Sequence, residues 1–295
     1  MSVAEPRAIH ELVAMYQLEP GLCDVYVEGS TDRALVEWFL LKSAVSNLAV
    51  KEIDTIDVPV DLIHAGGYEN NNRGRVIALA HELRNHLGDG TTVVTCIADK
   101  EFDGVLGRAY GCSLLLLTDY HSIEIYFFGP TSLDKLLKLV VRSFPRRGSD
   151  VIVVLVGPLT ELFAVRLANH MLGWGMRMVS FQDCCSLVNG AVVFDSGEYI
   201  NRCLNANNRY TDKARFVEVL REAQTRLGTT GRHSVHGHDF VDMLYWYIRQ
   251  HKGFKAIGKD TIERAIFGCV EYSDLTGEAM WRQLLERVRA QTGSG

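Results

Sequence analysis

Carboxylates in this chain collect at the ends of apolar runs. Glu28 closes LCDVYVE (22–28), Asp99 follows TTVVTCIA (91–98), and Asp119 follows CSLLLLT (112–118). Asp99-Lys100-Glu101-Phe102-Asp103 places three acids within five residues, and Asp32 stands one turn into the helix expected after Glu28. One such acid is an ordinary helix cap. Several at neighbouring strand ends repel one another and call for a cation. Hard oxygen donors suit Mg²⁺ or Mn²⁺. Two such ions about 3.5–4 Å apart activate a water and stabilise the leaving oxygen in phosphodiester cleavage.

Other groupings carry two readings each. Asp119, His121 and Glu124 follow the fourth apolar run, and His121 and Glu124 share a helix face. Glu124 is expected to complete a second metal site; the alternative for Asp119 is a helix cap, and His121 stays open. Lys135, Lys138, Arg142 and Arg146 recur three or four residues apart, with Arg147 adjoining. This basic stripe either holds nucleic-acid phosphates or is the solvated face of an amphipathic helix. Lys100 either touches a scissile phosphate or points to the opposite face. Gly66–Gly67 before Tyr68-Glu69-Asn70-Asn71-Asn72 is a turn that a phosphate could approach, or simply a loop. No G-x-G-x-x-G or Walker lysine accompanies it, so no nucleotide site is expected. His233, His236 and His238 lack the cysteine partners of a structural zinc site, and a loop with Asp239 capping the next helix is preferred. No Ser-His-Asp or Cys-His set stands out.

The elements that must position the acids follow from periodicity. Residues 22–28 read as a strand, with a tight turn and the helix DRALVEWFLLKSAV behind it. A β-branched segment spans 51–65, RVIALAHELRNHL is a helix, and 91–98 and 112–118 are buried strands. Strands alternating with helices predict an α/β fold with a parallel sheet flanked by helices. Beyond Gly129–Pro130 the pattern is mainly helical, with a short β excursion near 190–195. Two domains are expected, 1–145 and 146–295, with FPRRGSD (144–150) as linker. Net charge −5, with 31 basic and 36 acidic residues, excludes a histone-like coat protein but not a local basic patch. Seven cysteines without a C-x-x-C read as buried thiols of a reducing cytoplasm. No secretory signal is visible, and residues 151–176, apolar but carrying Glu161, Arg166, Asn169 and His170, read as a buried helix rather than a membrane span. The closing TGSG reads as a tail.

VYVEGSTDRALVEWFL followed by IADKEFDGVL resembles the TOPRIM signature, a glutamate after the first strand and D-x-D after the third. Glu28 matches the glutamate, and Asp99 with Glu101 matches D-x-D; Glu101 departs from aspartate, and Asp103 is the alternative. Asp32, four residues after Glu28, matches a second acid of the overcoming-lysogenization-defect nucleases. EGSTDR, DKEFDG and LLTDYHSIEIYFF (115–128), with VGPLTELFAVRLAN and VHGHDF, resemble more closely a TOPRIM family that includes AriB, the toxic effector of the PARIS anti-phage system. The resemblance implies a TOPRIM-like sheet followed by a helical domain for dimerisation and partner docking. It implies an Mg²⁺-dependent (or Mn²⁺-dependent) endonuclease held silent by an ABC-type, AriA-like ATPase and released as a homodimer to cleave host tRNA. Glu28, Asp99 and Glu101 would hold the first ion and carry catalysis, with Asp32, Asp103 and Glu124 at the second. Two alternatives stand beside it: a DNA nickase with the same site, and a non-catalytic module whose helical half docks a partner. Tyr245-Trp246-Tyr247 read as core or as dimer surface, and with Trp281 they are among the large side chains expected to contribute an interface patch.

Overall fold

The computed structural model describes residues 5–45, 48–91, 93–228, 231–254 and 257–292. Its contacts divide the chain into two units. The first comprises 1–100, 108–119 and 272–295; the second comprises 101–107 and 120–271.

The first unit is built on a four-stranded parallel sheet. Its elements are β1 (Arg7–Ala8), α1 (Ile9–Leu18), β2 (Asp24–Val27), α2 (Ser30–Lys42), β3 (Ala49–Glu52), β4 (Ile56–Asp57), α3 (Val60–Ala65), α4 (Asn72–Leu87) and β5 (Val94–Ala98). The second unit then contributes α5 (Asp103–Leu106), and the first resumes with β6 (Leu115–Leu117). The strand order is β3-β2-β5-β6, every pair parallel, and β1 pairs with β4 apart from it. β2 and β5 are buried along their whole length, which is why both read as mainly apolar runs; the buried Asp24 that opens β2 is paired with Lys51 at 2.6 Å. Side chains alternate along a strand. Tyr26, Val94, Cys96 and Ala98 accordingly join Leu12 and Tyr16 of α1 and Val76, Leu79 and Leu83 of α4 in one core cluster.

From β2 the chain crosses to β3 on one side, then returns through α3 and α4 to β5 on the other. The sheet's switch point thus lies between β2 and β5, where parallel sheets place their ligand crevice beyond the carboxyl ends. The segment 51–65, expected as β-branched strand, divides differently. β3 ends at Glu52, a 3₁₀ turn covers Ile53–Thr55, and α3 follows Pro59. Strand pairing resumes only in β4, against β1, and Pro59 at the N-cap of α3 has no N–H to carry it further.

The second unit continues with α6 (Pro130–Lys135), α7 (Gly148–Leu172), the hairpin β7 (Cys185–Val188) and β8 (Ala191–Phe194), α8 (Ser196–Ala206), α9 (Lys213–Leu227), α10 (Gly237–Gln250) and α11 (Lys259–Phe267). The hairpin turn is Asn189–Gly190, both with positive φ (51° and 80°), as a two-residue turn of the primed type requires. α7 packs against α6, α9 and α10. It is long and apolar enough to cross a membrane by length and composition. Leu155, Leu159, Leu162, Phe163 and Leu167 bury themselves in the unit's own core. Arg166 of α7 meets Asp239 of α10 in a two-pronged ion pair, 2.5 and 2.6 Å, with Asp239 buried. This pair satisfies the charge that α7 carries inward.

The chain ends with α12 (Tyr272–Thr276) and α13 (Ala279–Thr292), which belong to the first unit. The expected boundary at 145/146 therefore falls inside the second unit, and FPRRGSD leads into α7 rather than linking domains. The sequence pattern could not show this, because α12 and α13 resemble the helices before them while their partners lie in the sheet unit. Trp281 is fully buried with its ring centroid 4.5 Å from that of Phe39 in α2. Trp246 and Tyr247 are buried in the second unit, and Tyr245 is half-buried with Arg249 donating to its hydroxyl at 2.8 Å. Trp246 and Tyr247 are core, as the alternative reading had it, and so is Trp281; only Tyr245 of the four is partly exposed.

Candidate active site

Two acids meet at the switch point. Glu28 is the first residue past β2 and Asp99 the first past β5, and the two strands are hydrogen-bonded neighbours. Glu28 Oε1 accepts the Asp99 backbone N–H at 2.7 Å. A carboxylate taking a backbone donor in this way is held in one orientation. Both acids are half-buried. Asp32 lies one turn on, at the third position of α2, and its Oδ2 accepts the Gly29 N–H at 2.9 Å. Asp32 is thus turned onto the start of its own helix.

α4 presents its N-terminus to the same strand ends. Asn71 caps it by accepting the Gly74 N–H at 2.8 Å. Asn72 Nδ2 donates to the Glu28 carbonyl at 2.9 Å, and Arg73 Nε donates to the Asp99 carbonyl at 2.7 Å. Arg73 also donates to the Tyr110 hydroxyl at 3.1 Å and lies over that ring. Gly74 is required here: a Cβ would stand 1.9 Å from the Glu69 carbonyl oxygen. Glu69-Asn70-Asn71-Asn72-Arg73 therefore belongs to the site. The glycine turn before it was visible in the sequence, but Arg73 was missed. An arginine beside an acidic cluster was the available signal, since it supplies both neutralising charge and a phosphate-matching fork.

Lys100 points along the sheet edge. Its N–H donates to Thr118 Oγ1 at 2.9 Å and its Nζ to the Asp119 carbonyl at 3.2 Å. Asp119 is a helix cap, as the plainer reading had it, but of α13: its carboxylate accepts the N–H groups of Ala279 and Met280 at 3.1 Å.

The remaining acids lie in the second unit. Glu101 has φ +46°, a left-handed backbone rare for a residue with a side chain, and its N–H donates to the His121 carbonyl at 2.8 Å. Such a conformation persists only where the surroundings hold it. Asp103 is buried at the start of α5. Glu124 lies against the first residue of α10, where a Cβ on Gly237 would come within 2.5 Å of Glu124 Oε2. A carboxylate at the N-terminus of a 14-residue helix is stabilised by the helix dipole, so Glu124 has a structural role in place. His121 is buried among Phe102, Phe163 and His236, with ring centroids 5.0, 5.2 and 4.6 Å away. His236 stacks further on His238 at 5.6 Å. Burial pushes the His236 imidazole well below the usual histidine range, with Arg166 and His238 acting the same way.

The basic stripe does not survive as one helix face. α6 ends at Lys135, Leu136–Val141 form a π-helical turn, and Arg142 and Ser143 both take positive φ (62° and 53°). Lys135 is paired with Glu271 at 2.7 Å. Lys138 is exposed, and Arg146 and Arg147 lie beyond the helix.

Among the described residues no group of three or more His, Cys, Asp or Glu side chains converges as a ready metal cage. Glu28 and Asp99 are brought together by hydrogen-bonded strands. Their oxygens fit a hard divalent cation, and Mg²⁺ in particular is usually held by one or two carboxylates, with waters and substrate phosphates completing its shell. No model of a known protein family matches the chain, and no curated protein matches it either.

Proposed function

We propose that this protein is a divalent-cation-dependent endonuclease with its reacting centre at the carboxyl ends of β2 and β5. The observation that carries the reading is the placement of Glu28 and Asp99 at the switch point of a parallel sheet, joined by the 2.7 Å bond from the Asp99 N–H to Glu28 Oε1. The likeness of VYVEGSTDR and IADKEFDG to TOPRIM sequences supports it.

In this reading Glu28 and Asp99 hold Mg²⁺ or Mn²⁺, with Asp32 as a further candidate carboxylate; Glu101, Asp103 and Glu124, expected as ligands from the sequence, belong to the second unit. The bound ion would supply Lewis acidity toward a phosphodiester and lower the pKa of a water. The chain's own residues do the rest. The Asp99 N–H fixes the Glu28 carboxylate in one orientation, toward which an ion or a proton can be delivered. Arg73 holds the backbone of Asp99 and brings a permanent positive charge to a site that must receive a phosphate. Asn72 holds the backbone of Glu28. The strand ends thus keep their geometry when charge develops, the condition under which fixed dipoles stabilise a transition state.

From the same likeness we propose host tRNA as substrate, release from an ABC-type ATPase as the trigger, a homodimer as the active form, anti-phage defence as the role and the cytoplasm as the place of action. The test is direct. Purified wild type and Glu28→Gln are incubated with total tRNA, single-stranded RNA and supercoiled plasmid, in Mg²⁺ and in EDTA. Mg²⁺-dependent tRNA cleavage by wild type alone is the expected result. Plasmid nicking with intact tRNA would shift the reading to a DNA nickase. No cleavage of any substrate by the purified, partner-free chain, or equal cleavage by Glu28→Gln, would overturn the proposal.

A further inference from the structure

The second unit carries a cleft of about 730 Å³ lined by Asp134, Leu137, Lys138, Ser143, Phe144, Pro145, Arg146, Arg147 and Asp150. Nothing in the reading above uses it. Its wall is unusually specified. The π-helical turn Leu136–Val141 is a rare element that is frequent at functional sites. It is followed by two consecutive non-glycine residues in the left-handed region, Arg142 and Ser143. Such conformations are strained, persist only where the surrounding structure holds them, and cluster at functional sites. Here they turn the chain so that Phe144, Arg146 and Arg147 face the same cleft as Lys138.

Each lining group has a defined support. Phe144 packs on Tyr247, His251 and Phe254, with centroids 6.1, 4.7 and 5.4 Å away, yet remains half-exposed. Arg146 lies over the hairpin turn, so close that a Cβ on Gly190 would stand 2.2 Å from its Nη2. Of the two acids, Asp134 is engaged, accepting the Gly148 N–H at 2.6 Å where α7 begins. Asp150 is exposed on the first turn of α7. Tyr247 is fully buried beneath Phe144 and its hydroxyl lacks a hydrogen-bond partner. Burial pushes that phenol above the usual tyrosine range, with Arg146 and Asp150 acting in opposite directions.

A partly exposed aromatic ring in a cleft lined by three cations is the arrangement that binds single-stranded nucleic acid: phosphates on the cations, a base on the ring. The volume suits one or two nucleotides rather than a duplex. We propose that this cleft binds a single-stranded stretch of nucleic acid, with phosphates on Lys138, Arg146 and Arg147 and a base stacked on Phe144. The proposal rests on the nuclease reading for its substrate class; of the expected basic stripe it keeps Lys138, Arg146 and the adjoining Arg147 and leaves out Lys135 and Arg142.

Binding is measured without chemistry. Fluorescence anisotropy follows the full-length chain with fluorescein-labelled eight-nucleotide oligo-U and oligo-dT in EDTA, across 50–300 mM salt (about a 2.4-fold span of Debye length). Wild type should bind with a log–log salt slope of about −2, the value for three phosphate contacts on a single strand. Lys138→Glu and Arg147→Glu, both exposed positions, should each weaken binding about tenfold or more and flatten that slope. Phe144→Leu, which keeps the packing on Tyr247, should weaken binding about tenfold and leave the slope unchanged. Arg215→Glu on α9 serves as the charge control and should match wild type. Undiminished binding by both charge variants, or none by wild type, overturns the cleft. The two proposals separate cleanly. Cleavage that survives in cleft variants with unchanged affinity refutes the cleft and leaves the nuclease; cleft-dependent binding with no Mg²⁺-dependent cleavage does the reverse. A preference between oligo-U and oligo-dT identifies RNA or DNA as the source of the strand.

Discussion

Glu28 does two things at once, and substitutions separate them. It brings negative charge to the strand ends, and its Oε1 accepts the Asp99 N–H. Glu28→Gln keeps an acceptor of the same shape and removes the charge. Cleavage should fall by at least a hundredfold while the melting temperature holds or rises, since repulsion with Asp99 is relieved. Glu28→Ala also loses the hydrogen bond and should cost about 1 kcal/mol more than Gln by urea unfolding. Equal stability of the two variants would show that the bond does not organise the site. His236 is the second residue with a clear sign. It faces His121, His238 and Arg166, and burial holds it neutral in the fold. The folded chain therefore binds fewer protons there than the unfolded chain. Stability should be flat above about pH 6.5 and fall below it, by at most about 1.4 kcal/mol per pH unit, until the depressed folded-state value is passed. Unfolding curves at pH 7.5 and 5.5 should show this loss in wild type and a smaller one in His236→Gln. The same loss in both would assign it to other groups.

At the scale of elements, what the sequence made readable was whatever depends on local chemistry. β2, β5 and β6 were apparent as apolar runs because both their faces are covered, and the acid after each run followed directly. α2, α4, α9, α10, α11 and α13 were apparent from spacing and caps. Three features were hidden. β3 and α3 share a β-branched stretch whose division is set by Pro59 and by pairing with β2. The π turn after α6 depends on how Leu136, Leu137 and Val141 bury together, which a 3.6-residue period does not encode. Arg73 reaches Asp99 only because α4 starts beside β5's end. That last arrangement hangs on Gly74. A methyl group there would meet the Glu69 carbonyl oxygen, so either α4's first turn or the 69–73 loop must move. Gly74→Ala should cost about 2–3 kcal/mol and reduce cleavage further than Arg73→Met, because it displaces Asn72 and Arg73 together. Urea midpoints and initial rates test this; a variant with wild-type midpoint and rate would mean the loop yields freely.

For the whole molecule the informative fact is that the sheet unit is completed from the far end of the chain. Met280, Trp281, Leu284 and Val288 of α13 are all buried, and Asp119 at the end of β6 caps the helix through Ala279 and Met280. Burying four such side chains contributes about 10 kcal/mol, at roughly 2–3 kcal/mol each. That equals the net stability of a typical domain. A cut at the boundary expected from composition, after residue 145, would therefore remove material the sheet needs while keeping α6 and the π turn, which belong elsewhere. Residues 1–145 alone should fail to give a cooperative thermal transition. Residues 1–119 joined through a short Gly/Ser linker to 272–295 should recover one, because Asp119 already touches the start of α13. Hydrogen exchange would locate the effect: amides of β2 and β5 should be unprotected in the first fragment and protected in the second. Full protection of those strands in 1–145 would mean that the sheet stands without α13, and that the buried face of this helix adds rigidity rather than the stability assigned to it.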